Sequence, residues 1–225
     1  MFGRLAVGLG ALVGMCLLVW ALASQSATEP RPTASESLTP VQAVLRELSL
    51  QPSDLGLGWS VSLAEKGNRL SRPSLSFCDG DFPSEGKRLV RRLTESVAAD
   101  GRSGHVTTDV VQYESIPAAL EALAEVRIES ALCPDSGPQR VLPLEVTALP
   151  TTADAFAAQV ESHSGESMSL RSTLWQVRGN VLVILSLVVT PSESDYDSEW
   201  SEFRRLALLL TDRLNAMDPV EIGYF

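Results

Sequence analysis

Histidine and cysteine are scarce in this sequence, with two histidines and three cysteines among 225 residues. These residue types supply most of the general bases, thiol nucleophiles and zinc ligands of proteins. His163 stands beside serines and a glutamate in residues 163–167, but chain neighbours rarely adopt triad geometry and there is no G-x-S-x-G elbow. We therefore predict no catalytic residue and no enzyme. A hydrolase would require His105 or His163 to meet a serine and a carboxylate in the fold.

The acidic residues form no pattern that binds a metal ion. Asp79, Asp81 and Glu85 lie close together, but a Phe-Pro pair interrupts the spacing of a calcium loop. Residues 192–202, SESDYDSEWSE, are typical of a solvated helix start, where the helix dipole favours anions. The sequence therefore predicts neither a metal site nor a cofactor.

Acidic residues outnumber basic residues in this sequence. The chain has 18 Lys and Arg against 28 Asp and Glu, a formal net charge of −10. One basic residue, Arg4, precedes the first acidic residue, so the part beyond Ala23 carries 17 − 28 = −11. This charge keeps a protein soluble and argues against nucleic acid or anionic lipid headgroups as partners.

The N-terminus holds a long uncharged run. Residues 5–23 are mostly Leu, Val, Ala and Gly, and Arg4 precedes them. Ala21-Leu22-Ala23 matches the small-x-small pattern of a signal peptidase site, while the length also suits a bilayer span. We predict a signal peptide or an uncleaved membrane anchor over residues 1–23, and both export the rest. A disordered linker, residues 24–39, a domain, residues 40–217, and a tail, residues 218–225, would follow.

The longest apolar run outside the N-terminus predicts a β-hairpin. Residues 168–178 and 181–189 flank Arg178-Gly179-Asn180, and Gly and Asn tolerate the positive φ of tight turns. The second arm is aliphatic apart from Ser186, and its valines favour a strand over a helix. A strand of this kind requires both faces to be shielded from water.

Patterns along the rest of the chain predict an α+β fold. Its antiparallel β-sheet would have about five strands, with two main α-helices packed on one face. Predicted helices are residues 40–50, 116–132 and 195–217. Strand patterns cover residues 59–64, 87–98, 105–113, 141–148 and 153–161, and the second and the last of these also suit a helix.

The helix over residues 116–132 is predicted to bury one stripe. Ile116, Ala119, Leu120, Leu123 and Val126 follow the spacing of a buried helical face. A heptad step beyond Val126 lies Cys133, which therefore points inward. With Cys78, it makes an even cysteine count in the exported part, which predicts one disulfide in an oxidising compartment.

Several short motifs occur along the chain: Leu-Gly-x-Gly-Trp at residues 55–59, a strand ending in Cys78, Tyr-x-Ser at residues 113–115, Cys133-Pro134, and Val-Arg-Gly-Asn-Val at residues 177–181. In this order they resemble the PknH-like extracellular sensor domains of actinobacteria. The resemblance covers residues 39–217 and implies an α+β domain with a ligand cleft and no catalytic residue. Kinase-linked members carry two disulfides, whereas this chain can form one. The sequence holds no kinase domain, so we expect any signal to pass through a partner.

A candidate cleft follows from the hairpin. Leu170 and Leu174 face one side of their strand, and Trp175 and Val177 face the other. Since two helices on one face leave the second uncovered, we predict an apolar cleft lined by Trp175, Val177 and Trp59. Core packing beneath a loop is the alternative.

The predicted function is an exported, non-enzymatic ligand-binding or sensor-like domain of the cell envelope. An envelope protein that binds another protein through the same apolar cleft is the first alternative, and a hydrolase is the second. The predicted partner is a small ligand or an envelope protein, with membrane contact through residues 1–23 if they are not cleaved.

Overall fold

The computed structural model describes residues 39–76, 78, 80–98, 105–133, 139–144, 154–164, 167–189 and 196–217. All of them belong to one compact unit, Leu38–Phe225. The predictions for the N-terminal segment, most of the linker and the C-terminal tail lie outside the described residues. Within these ranges, no helix is both long enough and apolar enough to cross a membrane.

A seven-stranded sheet forms the centre of the domain, in the order β1-β2-β3-β7-β6-β5-β4, and every neighbouring pair is antiparallel. The α+β prediction is confirmed, and the sheet has seven strands rather than about five because each of the seven strand segments predicted from the sequence corresponds to a strand in it. The strands are β1 Trp59–Leu63, β2 Arg88–Ala98, β3 His105–Tyr113, β4 Gln139–Pro143, β5 Ala155–Ser164, β6 Ser167–Arg178 and β7 Val181–Val189.

Among the described residues, four α-helices and one 3-10 helix accompany the sheet. Thr39 caps the first helix through a capping box with Gln42, and Ser115 caps the third through the amide of Ala118. The helices are α1 Pro40–Leu48, α2 Pro52–Leu55, the 3-10 helix Pro83–Lys87, α3 Ile116–Leu132 and α4 Tyr196–Ala216.

The predicted hairpin forms β6 and β7 and lies inside the sheet. Gly179 adopts φ +59° at the turn, as the sequence predicted. Asn180 ties the turn to β3, because its Nδ2 donates to the carbonyl oxygen of Tyr113 at 2.9 Å. All residues of β7 except Ser186 and Val188 are fully buried, consistent with a central strand shielded on both faces.

The two main helices lie on opposite faces of the sheet, so the prediction that both pack on one face is wrong. On β7, the odd-numbered residues from Val181 to Val189 pack with α1 and α4, whereas Leu182 and Ile184 pack with α3. We call the side of α1 and α4 the first face and the side of α3 the second face. Because the central strands are apolar on both sides, each face of the sheet must be packed against a helix or a loop to exclude water. Two helices on the same face would leave the other face exposed.

Helix α3 buries a different stripe from the one predicted. Its buried residues are Ala118, Ala119, Ala122, Leu123 and Val126, while Ile116 and Leu120 point to solvent. Because α3 carries apolar side chains around most of its circumference, its periodicity does not show which side meets the sheet. The alanines give α3 a flat surface that lies close to the second face.

Candidate functional site

A segment between β1 and β2 covers the part of the second face next to α3. We call residues 70–76 the roof segment. Arg88, at the start of β2, donates from Nη2 to the carbonyl oxygen of Leu70 at 2.5 Å and from Nη1 to that of Arg72 at 3.0 Å. Its Nη1 also lies 2.8 Å from the hydroxyl of Ser74. One buried guanidinium thus fixes three points of the roof segment.

A second arginine holds the same segment from the sheet. Arg91 donates from Nη1 to the carbonyl oxygen of Arg72 at 2.7 Å. Its Nε and Nη2 bind the carboxylate of Asp109 on β3 at 2.9 Å and 2.5 Å. Side-chain exposures of 2% for Arg91 and 7% for Asp109 make this a buried ion pair. Charged groups buried this deeply are tolerated because each finds a partner.

Glu85 of the 3-10 helix fixes the roof segment from the other side. Its carboxylate accepts from the amides of Ser74 and Leu75 at 3.0 Å and 2.9 Å and forms an ion pair with Arg88 at 2.9 Å. Leu75 inserts into the core beside α3. The roof segment is therefore held by backbone contacts on both sides and by one apolar anchor.

The sequence did not reveal this arginine pair. In an ideal strand, side chains three positions apart point to opposite faces. A register irregularity between Arg88 and Val90 turns Arg88 so that it shares the second face with Arg91. The bulge depends on the pairing of β2 with β3, so no local pattern in β2 could have indicated it.

Two further links tie this region to α3. Cys78 and Cys133 form the predicted disulfide, with Cα atoms 5.5 Å apart. Cys78 lies in a connection with φ +52° rather than at the end of a strand. Glu125 of α3 accepts from the hydroxyl and the amide of Ser84 at 2.5 Å and 3.1 Å. Disulfides persist in oxidising compartments, so this one indicates an extracytoplasmic location.

A pocket of about 70 Å³ lies between the roof segment and the second face. Its floor comes from β5, β6 and β7, and its walls mix hydroxyl groups with a few apolar side chains. The lining residues are Ser74, Leu75, Ser76, Gln139, Val160, Ser162, Arg171, Thr173, Trp175, Ile184 and Ser186. The pocket is therefore polar, whereas the sequence predicted an apolar cleft.

The floor of the pocket carries a pair of facing hydroxyls. Thr173 on β6 and Ser186 on β7 are direct neighbours in the sheet register, and their side-chain oxygens lie 3.0 Å apart. Arg171 precedes Thr173 by two positions and lies on the same face. Trp175 follows by two positions and closes the apolar end of the pocket, where it stacks on Phe156 at 5.7 Å.

The three residues predicted to line one cleft do not come together. Trp175 and Val177 lie on the second face, and both pack in the core with α3. Trp59 lies on edge strand β1 and packs against the core of the first face. Trp175 is 5% exposed, so it forms no wall of an open cleft, although it does border the pocket. The expectation was wrong because α3 covers the face that we took to be bare.

A second cavity, of about 670 Å³, lies between α1 and the end of α4. It opens widely to solvent and adjoins residue 217, where the described chain ends. Its one guanidinium from α4, Arg213, is already held by the carboxylate of Asp54 at 2.7 Å and 2.9 Å. The smaller pocket under the roof segment is more enclosed and has polar groups on opposite walls, and we regard it as the candidate site.

The candidate catalytic and metal residues remain apart. His105 lies in β3 and His163 in β5, with β7 and β6 between them. The side chains of residues 164–167, next to His163, lie outside the described residues. The carboxylate of Glu85 accepts hydrogen bonds from the amides of the roof segment. Asp79 lies outside the residues that the structure describes. In the described part of the chain, no group of three or more His, Cys, Asp or Glu side chains could hold a metal ion.

No protein-family model matches this chain, and a search of curated proteins finds no match. Among solved structures, the chain is similar to the extracellular domain of PknH from Mycobacterium tuberculosis. The TM-score is 0.48 at 10% identity, and the alignment covers 78% of this chain and 96% of that one. A putative uncharacterised protein from Mycobacterium smegmatis aligns with a TM-score of 0.42 at 15% identity, covering 77% of this chain and 96% of the other.

Proposed function

We propose that this protein is an exported, non-enzymatic, sensor-like domain of the cell envelope that binds a small ligand in the pocket under the roof segment. The observation that carries the proposal is the construction of this pocket. Two buried arginines and one carboxylate fix the roof segment, while the floor is a pair of central strands. Such a site is largely formed before a ligand arrives, which lowers the ordering cost of binding.

The lining supports binding rather than catalysis. Hydroxyl and amide groups from Ser74, Gln139 and Ser162 surround the pocket and can orient a ligand through hydrogen bonds. Neither histidine is among the described residues that line it. A non-enzymatic role is therefore the simplest one for these groups.

A pocket-filling substitution tests this proposal. Ser186→Met places a longer side chain in the floor, and it should abolish the thermal stabilisation that small polar compounds give to the unaltered protein. Ser60→Met provides a matched control, because Ser60 is exposed on edge strand β1, away from the pocket. Stabilisation that persists equally in Ser186→Met, or the absence of any stabilising compound for the unaltered protein, would contradict the proposal.

The mode of export belongs to the same proposal. The apolar residues 5–23 and the Ala21-Leu22-Ala23 site support export by a signal peptide or by an anchor. Fusion of residues 1–40 to a reporter that is active outside the cytoplasmic membrane should give activity. N-terminal sequencing of the exported protein distinguishes the two forms, because cleavage after Ala23 leaves Ser24 first. Reporter activity confined to the cytosol would contradict export.

A second candidate function rests on the outer side of α3. An apolar ridge there has exposures of 53% for Ile116, 38% for Leu120, 57% for Ile128 and 69% for Leu132. Spacing by four places these side chains in one row. Exposed apolar rows of this kind are typical of surfaces that bind other proteins. The role of an envelope interaction module would therefore use α3 rather than the pocket.

The charges beside the ridge indicate the partner's chemistry. Glu121 forms an ion pair with Lys87, and Arg127 donates to the carbonyl oxygen of Ala155 at 2.9 Å. Because both charges already have partners within the chain, the ridge fits an apolar, uncharged surface of an envelope protein. Leu120→Glu should abolish cross-linking to such a protein, whereas Leu208→Glu on α4, where leucine is 46% exposed, should not. Equal cross-linking by both variants would exclude α3 as the interface.

A further inference from the structure

The pocket is electropositive in an acidic protein. Among the described residues that line it, Arg171 carries the one formal charge. The whole chain carries a formal net charge of −10. A cation at the edge of a partly enclosed space attracts an anion that binds there, and because Arg171 is exposed, water weakens this attraction. The sign of the pocket is therefore set by Arg171.

Two acidic groups beside the arginines that hold the roof segment are already paired. Glu85 is paired with Arg88 at 2.9 Å, and Asp109 is paired with Arg91 at 2.5 Å. Arg171 is exposed and, within the described part of the chain, makes no ion pair or hydrogen bond. The planar set of donors on its guanidinium matches the two oxygens of a carboxylate or phosphate.

The floor hydroxyls supply a further donor. Thr173 and Ser186 share one hydrogen bond of 3.0 Å, in which either can be the donor. Two hydroxyls have two protons, and this bond uses one of them. The acceptor of the pair keeps its proton and can donate it to a bound oxygen. Arg171 and Thr173 stand on the same side of β6, so both act on one ligand group.

The size of the pocket limits that group. Its volume is about 70 Å³, so a compact group such as one carboxylate or one phosphate suits it better than a bulky ligand held entirely inside. The remainder of a larger ligand would have to extend through the open side of the pocket.

We propose that the pocket under the roof segment binds the oxyanion group of a small soluble ligand, a carboxylate or a phosphate, through Arg171 and the Thr173–Ser186 hydroxyl pair. This inference rests on the proposed function and adds the chemical class of the ligand. The net negative charge of the chain favours a soluble anion over an anionic membrane surface, which the protein as a whole repels.

Calorimetric titration of the full chain with acetate and with acetamide tests the inference. The two probes have nearly the same shape and differ in charge. Acetate and inorganic phosphate should bind with dissociation constants on the order of millimolar, as expected for ligands of so few atoms, and acetamide should bind at least tenfold more weakly. Sedimentation with phosphatidylglycerol vesicles should show no binding beyond that seen with phosphatidylcholine vesicles.

Three variants locate the site. Arg171→Gln should weaken acetate binding at least tenfold, and Arg171→Lys should recover part of it, since the charge returns without the fork of donors. The control is Arg140→Gln, which removes the same charge from an exposed position on β4 and should change binding less than twofold. Because Arg171 is exposed, its replacement should leave the fold intact.

Equal weakening by Arg171→Gln and Arg140→Gln would overturn the inference, because it would show attraction by net charge alone. Binding of acetamide as tight as acetate would also overturn it, but would leave the proposed function standing with a neutral polar ligand. Binding to phosphatidylglycerol vesicles that depends on Arg171 would assign the oxyanion to lipid headgroups and overturn the soluble source. Binding of neither anions nor neutral compounds would refute the inference and the proposed function together.

Discussion

Replacement of Arg91 by methionine tests the buried ion pair that supports the pocket. The substitution keeps most of the aliphatic volume and removes the guanidinium, so the carboxylate of Asp109, whose side chain is 7% exposed, loses its buried counter-ion. Breaking a buried ion pair by removing one partner costs about 3–5 kcal/mol. The lost bond to the carbonyl oxygen of Arg72 adds about 1 kcal/mol. We therefore expect a loss of about 4–6 kcal/mol in the free energy of unfolding.

The double variant Arg91→Met, Asp109→Leu separates the two contributions. It removes both charges, so no unpaired carboxylate is left in the core, and replacing a buried pair by apolar residues is often neutral or stabilising. The cost of the double variant should fall to about 1–2 kcal/mol, which is mostly the lost bond to Arg72.

Urea denaturation with the disulfide intact measures these differences, and hydrogen exchange at residues 70–76 reports on the roof segment. In both variants the amides of the roof segment should exchange faster than in the unaltered protein, since Arg72 has lost one of its two guanidinium partners. A loss below about 1 kcal/mol in Arg91→Met would refute the reasoning. So would a double variant less stable than Arg91→Met alone.

Four further outcomes follow from the structure. Cys133→Ser should lower stability by about 2–5 kcal/mol, because the bond to Cys78 spans 55 residues; free thiols in the folded, non-reduced protein would contradict the pairing. Leu123→Ala should cost about 2–5 kcal/mol and Leu120→Glu less than about 0.5 kcal/mol in thermal unfolding, since on α3 Leu123 is buried against the sheet and Leu120 is exposed; equal costs would contradict this orientation of the helix. Trp175→Ser should lower the free energy of unfolding, measured in urea, by about 3–5 kcal/mol, because Trp175 belongs to the core. A loss under about 1 kcal/mol would instead support the prediction that Trp175 lines an open cleft. Burial raises the pKa of the Tyr113 hydroxyl above 10.0, so as the pH rises the unfolded chain loses this proton before the folded protein does. The stability that Tyr113 contributes should therefore be complete below about pH 10 and fall as the pH rises further. Tyr113→Phe should lack this fall, and an identical pH dependence of the free energy of unfolding in the variant and the unaltered protein would refute the prediction.

The sequence by itself determined most of the elements. Strand β7 was predicted with its observed limits because nine residues with a single polar member have one stable environment, a strand covered on both sides. The limits of α3 follow from Ser115 at one end and Cys133-Pro134 at the other, which are local signals of helix capping and termination. The disulfide could be predicted because the chain beyond Ala23 has two cysteines and therefore one possible pair.

Only the tertiary structure decided which face each helix covers. The choice depends on which row of α3 meets the sheet, and both Leu120 and Leu123 are apolar, so the pattern leaves two solutions. The side of α3 that carries the alanines can approach the sheet most closely, so this side packs against Leu182 and Ile184. Close packing, rather than hydrophobicity, therefore decides the orientation of α3.

The pocket also depended on contacts between distant residues. Its roof is held by Arg88 and Arg91, whose common orientation requires a bulge in the pairing of β2 with β3. Its floor requires Thr173 and Ser186 to face each other across two strands. Side-chain direction along a strand follows from local alternation, but register and bulges are set by pairing between strands. For this reason the sequence placed Trp175 on the second face, and only the fold showed that a polar pocket, rather than an apolar cleft, lies beside it.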